Sequence, residues 1–235
     1  MKYSFIFLSL LIISACQENN QNLNISDFYY SINDYKVPKV LQYITNDDGE
    51  KSYLYTKLSK LGENVLLIEQ FDNSFNKLNR IILIYTSEGV KYKEYWVRGE
   101  NNIDKLVQQN IIDSLVFPRN LNNNSIQFEA LGESGDFKTK FIVKNLFNEP
   151  MDTIINYKKI VILYGNGERT WRITSKKIPL LSKKMTVTDK IIYQKGFGIY
   201  SIITNKENGG IYRMDFDKEL SIEEFENKKT PANRS

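Results

Sequence analysis

Turn-forming residues recur in this chain every ~8–14 positions, and between them lie short runs in which apolar and polar residues alternate. That spacing is the signature of an antiparallel meander. Asn46-Asp47-Asp48-Gly49, Leu61-Gly62-Glu63-Asn64, Asp72 to Lys77 and Ser87-Glu88-Gly89 separate the runs Val37–Thr45, Lys51–Leu58, Val65–Phe71, Arg80–Thr86 and Val90–Arg98. The first turn is dense in residues that tolerate positive φ. In the fifth run, strict alternation puts Val90, Tyr92, Glu94, Trp96 and Arg98 on one face and Lys91, Lys93, Tyr95 and Val97 on the other. Neither face is wholly apolar, which suits a sheet that is partly wetted on both sides or one that curves around a groove.

Asn102 to Asn110 reads as a helix, because Ile103, Leu106, Val107 and Ile111 recur at helical spacing behind an early Asp104. Leu121 to Ser125 is an Asn-rich loop. The β pattern then returns in Ile126–Leu131, Phe137–Phe147, Thr153–Tyr157, Ile160–Tyr164 and, after Gly165-Asn166-Gly167, Arg169–Ser175. Lys183–Thr188 and Ile191–Gln194 lead into Gly196 to Ile202, and Asn208-Gly209-Gly210 turns into Ile211–Phe216. Ser221-Ile222-Glu223-Glu224 has capping-box spacing and opens a short terminal helix. The fold class expected is mainly β: a curved antiparallel meander with one or two short helices. It forms one domain over 27–228, with a disordered tail at 229–235.

Ahead of that body, Lys2 precedes an apolar run from Phe5 to Ile13 broken only by Ser9, followed by the small pair Ser14-Ala15 and the sole cysteine, Cys16. The run is too short to span a bilayer, which needs ~20 apolar residues. The combination resembles a bacterial lipobox, with residues 1–15 as signal peptide. The resemblance implies cleavage between Ala15 and Cys16, a diacylglyceryl group on the thiol and an acylated amino terminus. Two or three chains together anchor a protein stably. Residues 16–26, polar and rich in Asn and Gln, read as a tether; about ten residues extend at most ~33–36 Å. Lipoproteins retained at the inner membrane commonly carry Asp after the cysteine. Gln17 stands there instead, so the resemblance implies the outer membrane, facing the periplasm or the outside.

The inventory of reactive groups is narrow. With no histidine and one cysteine in 235 residues, a Ser-His-Asp triad, a Cys-His pair and a His- or Cys-built zinc site are excluded. Disulfides are excluded too, so stability rests on the core that 41% hydrophobic residues can build. A net charge of +4 without a basic helix or Lys/Arg run gives no nucleic-acid footprint. Ser74-Phe75-Asn76-Lys77 has the Ser-x-x-Lys spacing of penicillin-recognising enzymes but lacks their partner motifs, and reads as a surface turn. Asp215, Asp217 and Glu219 fall short of a Ca²⁺ ligand set and read as a solvated edge. Gly165-x-Gly167 and Gly196-x-Gly198 open no helix and read as bulges or tight hairpins. No metal and no cofactor are expected.

Tyr193-Gln194-Lys195-Gly196-Phe197-Gly198-Ile199, with Asp34-Tyr35-Lys36-Val37 and Tyr43 near the start, resembles small envelope lipoproteins of Bacteroidota whose sheet is similar to that of the lipoprotein carriers LolA and LolB. The resemblance implies a half-barrel with helices plugging its concave side. It also marks Asp113-Ser114-Leu115 and Asp152-Thr153-Ile154 as similar to O-glycosylation triplets of that lineage. The aromatic set Tyr53, Tyr55, Tyr92, Tyr95, Trp96 and Trp171 suits cross-strand core pairing. Tyr53, Tyr55, Tyr92, Trp96 and Trp171 would alternatively wall a ligand groove. The function expected is a non-catalytic, membrane-anchored envelope lipoprotein binding a hydrophobic ligand or an envelope protein. The alternatives are an accessory subunit without a pocket and a hydrolase using carboxylates or Ser74 and Lys77.

Overall fold

A computed structural model of the protein describes residues 25–99, 102–113, 115–118, 125–134, 137–148, 150–175 and 181–230. Ala15, Cys16, most of the tether and the Asn-rich loop lie outside the described residues. Two 3-10 turns, Ile25–Phe28 and Ile32–Tyr35, precede a continuous run of strands. These are β1 (Lys39–Asp47), β2 (Glu50–Gly62), β3 (Val65–Phe71), β4 (Lys77–Thr86), β5 (Gly89–Gly99), β6 (Asn102–Asp113) and β7 (Leu115–Pro118). The second half supplies β8 (Ser125–Ser134), β9 (Phe137–Phe147), β10 (Met151–Ile155), β11 (Lys158–Ser175), β12 (Leu181–Gln194), β13 (Gly198–Lys206) and β14 (Ile211–Leu220). Among the described residues a single α-helix, α1 (Ile222–Lys229), follows.

All 14 strands belong to one antiparallel sheet, as the alternation and turn spacing predict. Its curvature goes as far as closure. The ladder runs β11-β12-β13-β14-β1-β2-β3-β4-β5-β6-β8-β9, and β9 pairs back onto β11 from Gly165↔Phe147 to Ser175↔Phe137. β11 can serve three neighbours because it is 18 residues long: β12 lies along one edge, while β10 and β9 share the other. Register shifts in the β1–β14, β12–β13, β2–β3, β3–β4 and β4–β5 pairs insert bulges. Bulges bend and twist a strand, which is what a closing sheet requires.

Two sequence expectations are corrected. The segment predicted as a helix over 102–110 is strand β6, which pairs with β5 and β8. Gly165-Asn166-Gly167 is neither bulge nor hairpin, since β11 runs through it in unbroken register. The capping box, in contrast, forms as spaced: Glu224 N donates to Ser221 Oγ at 3.1 Å, and Ser221 N donates to Glu224 Oε2 at 2.7 Å.

The main core lies inside the ring. Leu41, Tyr43, Leu58, Leu66, Ile68, Leu83, Val90, Phe117, Val161, Leu163, Tyr193 and Met214 all point into it. Outward positions of the same strands carry Arg80, Glu168, Arg172, Lys184 and Lys190. A second, smaller cluster sits on the outer face. There Phe225 of α1, 1% exposed, covers Val40, Tyr55, Phe71 and Leu220.

Candidate functional site

The concave side is plugged, as expected, by short helical segments, here the chain's own N-terminal 3-10 turns and not α-helices. Phe28, Tyr29, Tyr30 and Tyr35 are all buried in the ring. Tyr29 stacks on Phe117 at 5.1 Å, and Phe117 meets Tyr193 at 4.9 Å. The plug is also bonded in place. Ser31 N donates to Gly196 O, Gly196 N donates to Asp27 O, Tyr85 OH donates to Tyr30 O at 2.6 Å, and Tyr35 OH donates to Phe197 O. Burial pushes the phenols of Tyr29, Tyr30, Tyr35, Tyr43, Tyr85, Tyr92 and Tyr193 well above their ordinary range.

The glycine-aromatic-glycine run 196–198 is the seat of this plug. Gly198 has φ +100°, and a Cβ there would lie 2.3 Å from the Tyr30 ring. Only glycine combines that backbone with that approach.

Farther along the interior, the character changes. On β11 the inward row continues from Val161 and Leu163 through Gly165, Gly167, Arg169 and Trp171 to Ile173, with no register shift. Arg169 Nη2 donates to Asp189 Oδ2 at 2.8 Å and Nη1 to Asn145 Oδ1 at 2.6 Å, while Thr204 Oγ1 donates to Asp189 Oδ1 at 2.7 Å. Asp189 is 3% exposed, and these partners satisfy its carboxylate oxygens where water does not reach. Gly167 makes the layer possible: a Cβ there would stand 2.6 Å from Arg169 Nη1 and 2.8 Å from Asn145 Oδ1. Beyond the layer, toward the end opposite the plug, the paired inward positions Ile173 and Leu181 are 36% and 55% exposed. The interior thus has three levels: an aromatic plug, a buried ion-paired layer, and an accessible apolar rim.

A second concavity of about 680 Å³ lies outside that same end, between the β1–β2 and β13–β14 turns. Asn46, Asp48, Gly49, Asn208, Gly209, Gly210, Ile211 and Arg213 line it. Lys206 bolts the two turns together, bonding Asp47 at 2.5 Å and Asp48 at 2.9 Å, and Ile211 N donates to Asp48 Oδ1 at 2.6 Å. The Lys206 bond and the Ile211 amide hold the Asp48 carboxyl below its usual range.

The aromatic residues proposed as a groove are dispersed. Tyr53 and Tyr55 stack at 6.4 Å on the outer face, where Tyr55 is buried beneath α1 and Tyr53 is exposed. Tyr92 packs against the interior core. Trp96 faces outward and donates from Nε1 to Glu94 Oε2 at 3.1 Å. Strict alternation put Tyr92 and Trp96 on one face. A bulge at Lys93 separates them, since Ile82 pairs with Glu94 and the adjacent Leu83 with Tyr92. Tyr92 and Tyr95 consequently meet inside at 5.6 Å. Trp171 holds an inward register position, but its side chain lies outside the described residues.

The remaining candidates have structural partners. Ser74 N donates to Asp72 in an exposed turn, and Lys77 pairs with Glu69 at 2.5 Å instead of Ser74. Partial burial raises the Asp72 carboxyl, but bonds from Asn76, Arg98 and Ser74 outweigh it and hold the group low. Asp215 accepts from Ser201 and Arg213, Asp217 from Gln42, and Glu219 pairs with Lys39. Thr153 sits on the fully exposed strand β10, whereas Ser114 lies outside the described residues. Sequence reasoning missed the Arg169–Asp189 layer, whose one local trace is the Gly-x-Gly at 165–167.

No protein-family model and no curated protein matches the chain. Among solved structures it is similar to a candidate lipoprotein of Parabacteroides distasonis, at 10% identity and TM-score 0.45, over 82% of this chain and 98% of that one. It is also similar to a candidate exported protein with a YmcC-like fold from Bacteroides fragilis, at 7% identity and TM-score 0.35, over 78% and 95%. The hypothetical lipoprotein YmcC of Escherichia coli aligns at 9% identity and TM-score 0.29, over 90% and 96%.

Proposed function

We propose that the chain is a lipid-anchored bacterial envelope protein that acts by binding and not by catalysis, holding a hydrophobic ligand at the barrel end opposite the plug. The single observation that carries the binding site is the exposure of the inward pair Ile173 and Leu181 above the buried Arg169–Asp189 layer. Inward apolar side chains that remain in water gain about 25 cal/mol per Å² when a ligand covers them. The plug fills the other half, so the ligand enters from one side. The anchor rests on Cys16 behind its apolar run, and the outer membrane on Gln17.

Native mass spectrometry of the detergent-extracted protein tests the binding site. A retained ligand mass is expected, absent from the Ile173→Lys/Leu181→Asp protein, which keeps its stability within ~1 kcal/mol because both positions are exposed and the opposite charges face each other across the strands. A ligand held equally by both proteins would move the site elsewhere, and none in either would favour the second reading, an accessory subunit of an envelope complex. That reading draws on the plug, which leaves no ligand space in its half of the ring. Incorporation of a palmitate analogue, lost in Cys16→Ala, tests the anchor.

A further inference from the structure

We infer that the tip of the β10–β11 hairpin is a membrane-contact element, pressed against the surface of the bilayer in which Cys16 is anchored; the inference rests on the anchor proposed above. Strand polarity supplies the geometry. Antiparallel neighbours put the turns at 63–64, 87–88, 156–157 and 195–197 at one end of the ring, and those at 48–49, 72–76 and 207–210 at the other. The described chain starts at this first end: Gly196 N donates to Asp27 O, and Lys195 Nζ lies 4.0 Å from Asp27 Oδ2. The neighbouring Lys195 N donates to Lys159 O, two residues beyond the 156–157 turn. The described chain therefore enters the barrel beside the β10–β11 tip. With about ten residues between lipid and barrel, ~33–36 Å at full extension, this end faces the bilayer.

What the hairpin presents there suits a membrane interface. Every residue of β10 is exposed, including Met151 (56%), Ile154 (65%) and Ile155 (45%). Tyr157, at 102%, is fully exposed at the tip. Lys158, Lys159 and Lys195 stand next to it, all exposed. Aromatic and aliphatic side chains beside lysines are the composition that settles at the headgroup level, and each lysine is attracted to anionic lipid. Among the described residues β10 pairs only with β11, so the hairpin's outer edge is not engaged in the ring.

The test uses full-length protein in which Cys16 is blocked by lipid, so that Tyr157→Cys or Asn208→Cys supplies the sole free thiol for an environment-sensitive fluorophore. Each protein is reconstituted into vesicles of phosphatidylethanolamine and phosphatidylglycerol and floated on a density gradient. The expected result is flotation of both, a several-fold brighter and iodide-protected probe at position 157, and an iodide-quenched probe at 208, on the opposite end. Flotation with equal quenching at both positions overturns the hairpin contact and leaves the anchor standing. Failure to float, with label entering Cys16, overturns the anchor and the hairpin proposal with it. Protection at 157 that appears without vesicles and grows with protein concentration assigns the hairpin to a second copy of the chain, and overturns it as well.

Discussion

Gly198 and Gly209 both have positive φ, yet only one is hemmed in. A methyl at Gly198 would stand 2.3 Å from the Tyr30 ring, whereas nothing lies within 4 Å of one at Gly209. Gly209→Ala therefore costs only the left-handed backbone, about 1 kcal/mol. Gly198→Ala adds the displacement of a ring packed in the plug, for a total of about 2–4 kcal/mol. Urea denaturation of the two variants reads the difference, and equal midpoints would mean that the plug does not seat on the 196–198 turn. The backbone freedom at 198 is visible in the sequence as Gly-Phe-Gly. The identity of its neighbour is not, because Tyr30 arrives from 168 positions away.

Among the elements, β5 shows how one residue redistributes a face. The bulge at Lys93 sends Tyr92 and Tyr95 into the core and Glu94 and Trp96 outward. Deleting Lys93 restores strict alternation and forces either Tyr92 out of the core or Trp96 into it. A loss of ~3 kcal/mol or more is expected in thermal or urea unfolding, against less than ~1 kcal/mol for Lys93→Ser, which keeps the extra residue. An unaffected deletion variant would show that the register is not set at this position. β6 carries the same lesson for secondary structure. Ile103, Leu106, Val107 and Ile111 fit a helix, but a helix here would leave the facing edges of β5 and β8 without ladder partners. Pairing across the sheet outweighs a weak local preference. Where local and tertiary demands agree, as at Ser221 and Glu224, the sequence is legible to the residue.

For the whole molecule, the plug sets the pH response. A buried phenol is stable only while neutral, and the raised titration of Tyr29, Tyr30, Tyr35, Tyr43, Tyr85, Tyr92 and Tyr193 means that the folded state binds more protons than the unfolded one above pH ~10, the ordinary tyrosine value. The stabilisation is complete below that pH and is lost as pH rises through and beyond it. Tyrosinate absorbance and far-ultraviolet circular dichroism should change together in one cooperative alkaline transition. Ionisation of all 15 tyrosines at the ordinary pH, with the sheet intact, would contradict a tyrosine-filled interior.

Most of the strands and turns, the terminal helix and the narrow chemical inventory follow from the sequence by itself, because alternation, turn chemistry and capping act over a few neighbouring residues; β6 and the unbroken course of β11 through Gly165-Asn166-Gly167 do not. Tertiary structure alone decided the closure of β9 onto β11, the faces that the bulges assign to Tyr92 and Trp96, and the meeting of Arg169, Asp189, Asn145 and Thr204. It also brought the N-terminal tyrosines into the ring. Each of these depends on pairing between segments far apart in the chain, and no local pattern encodes which distant edge a strand will meet.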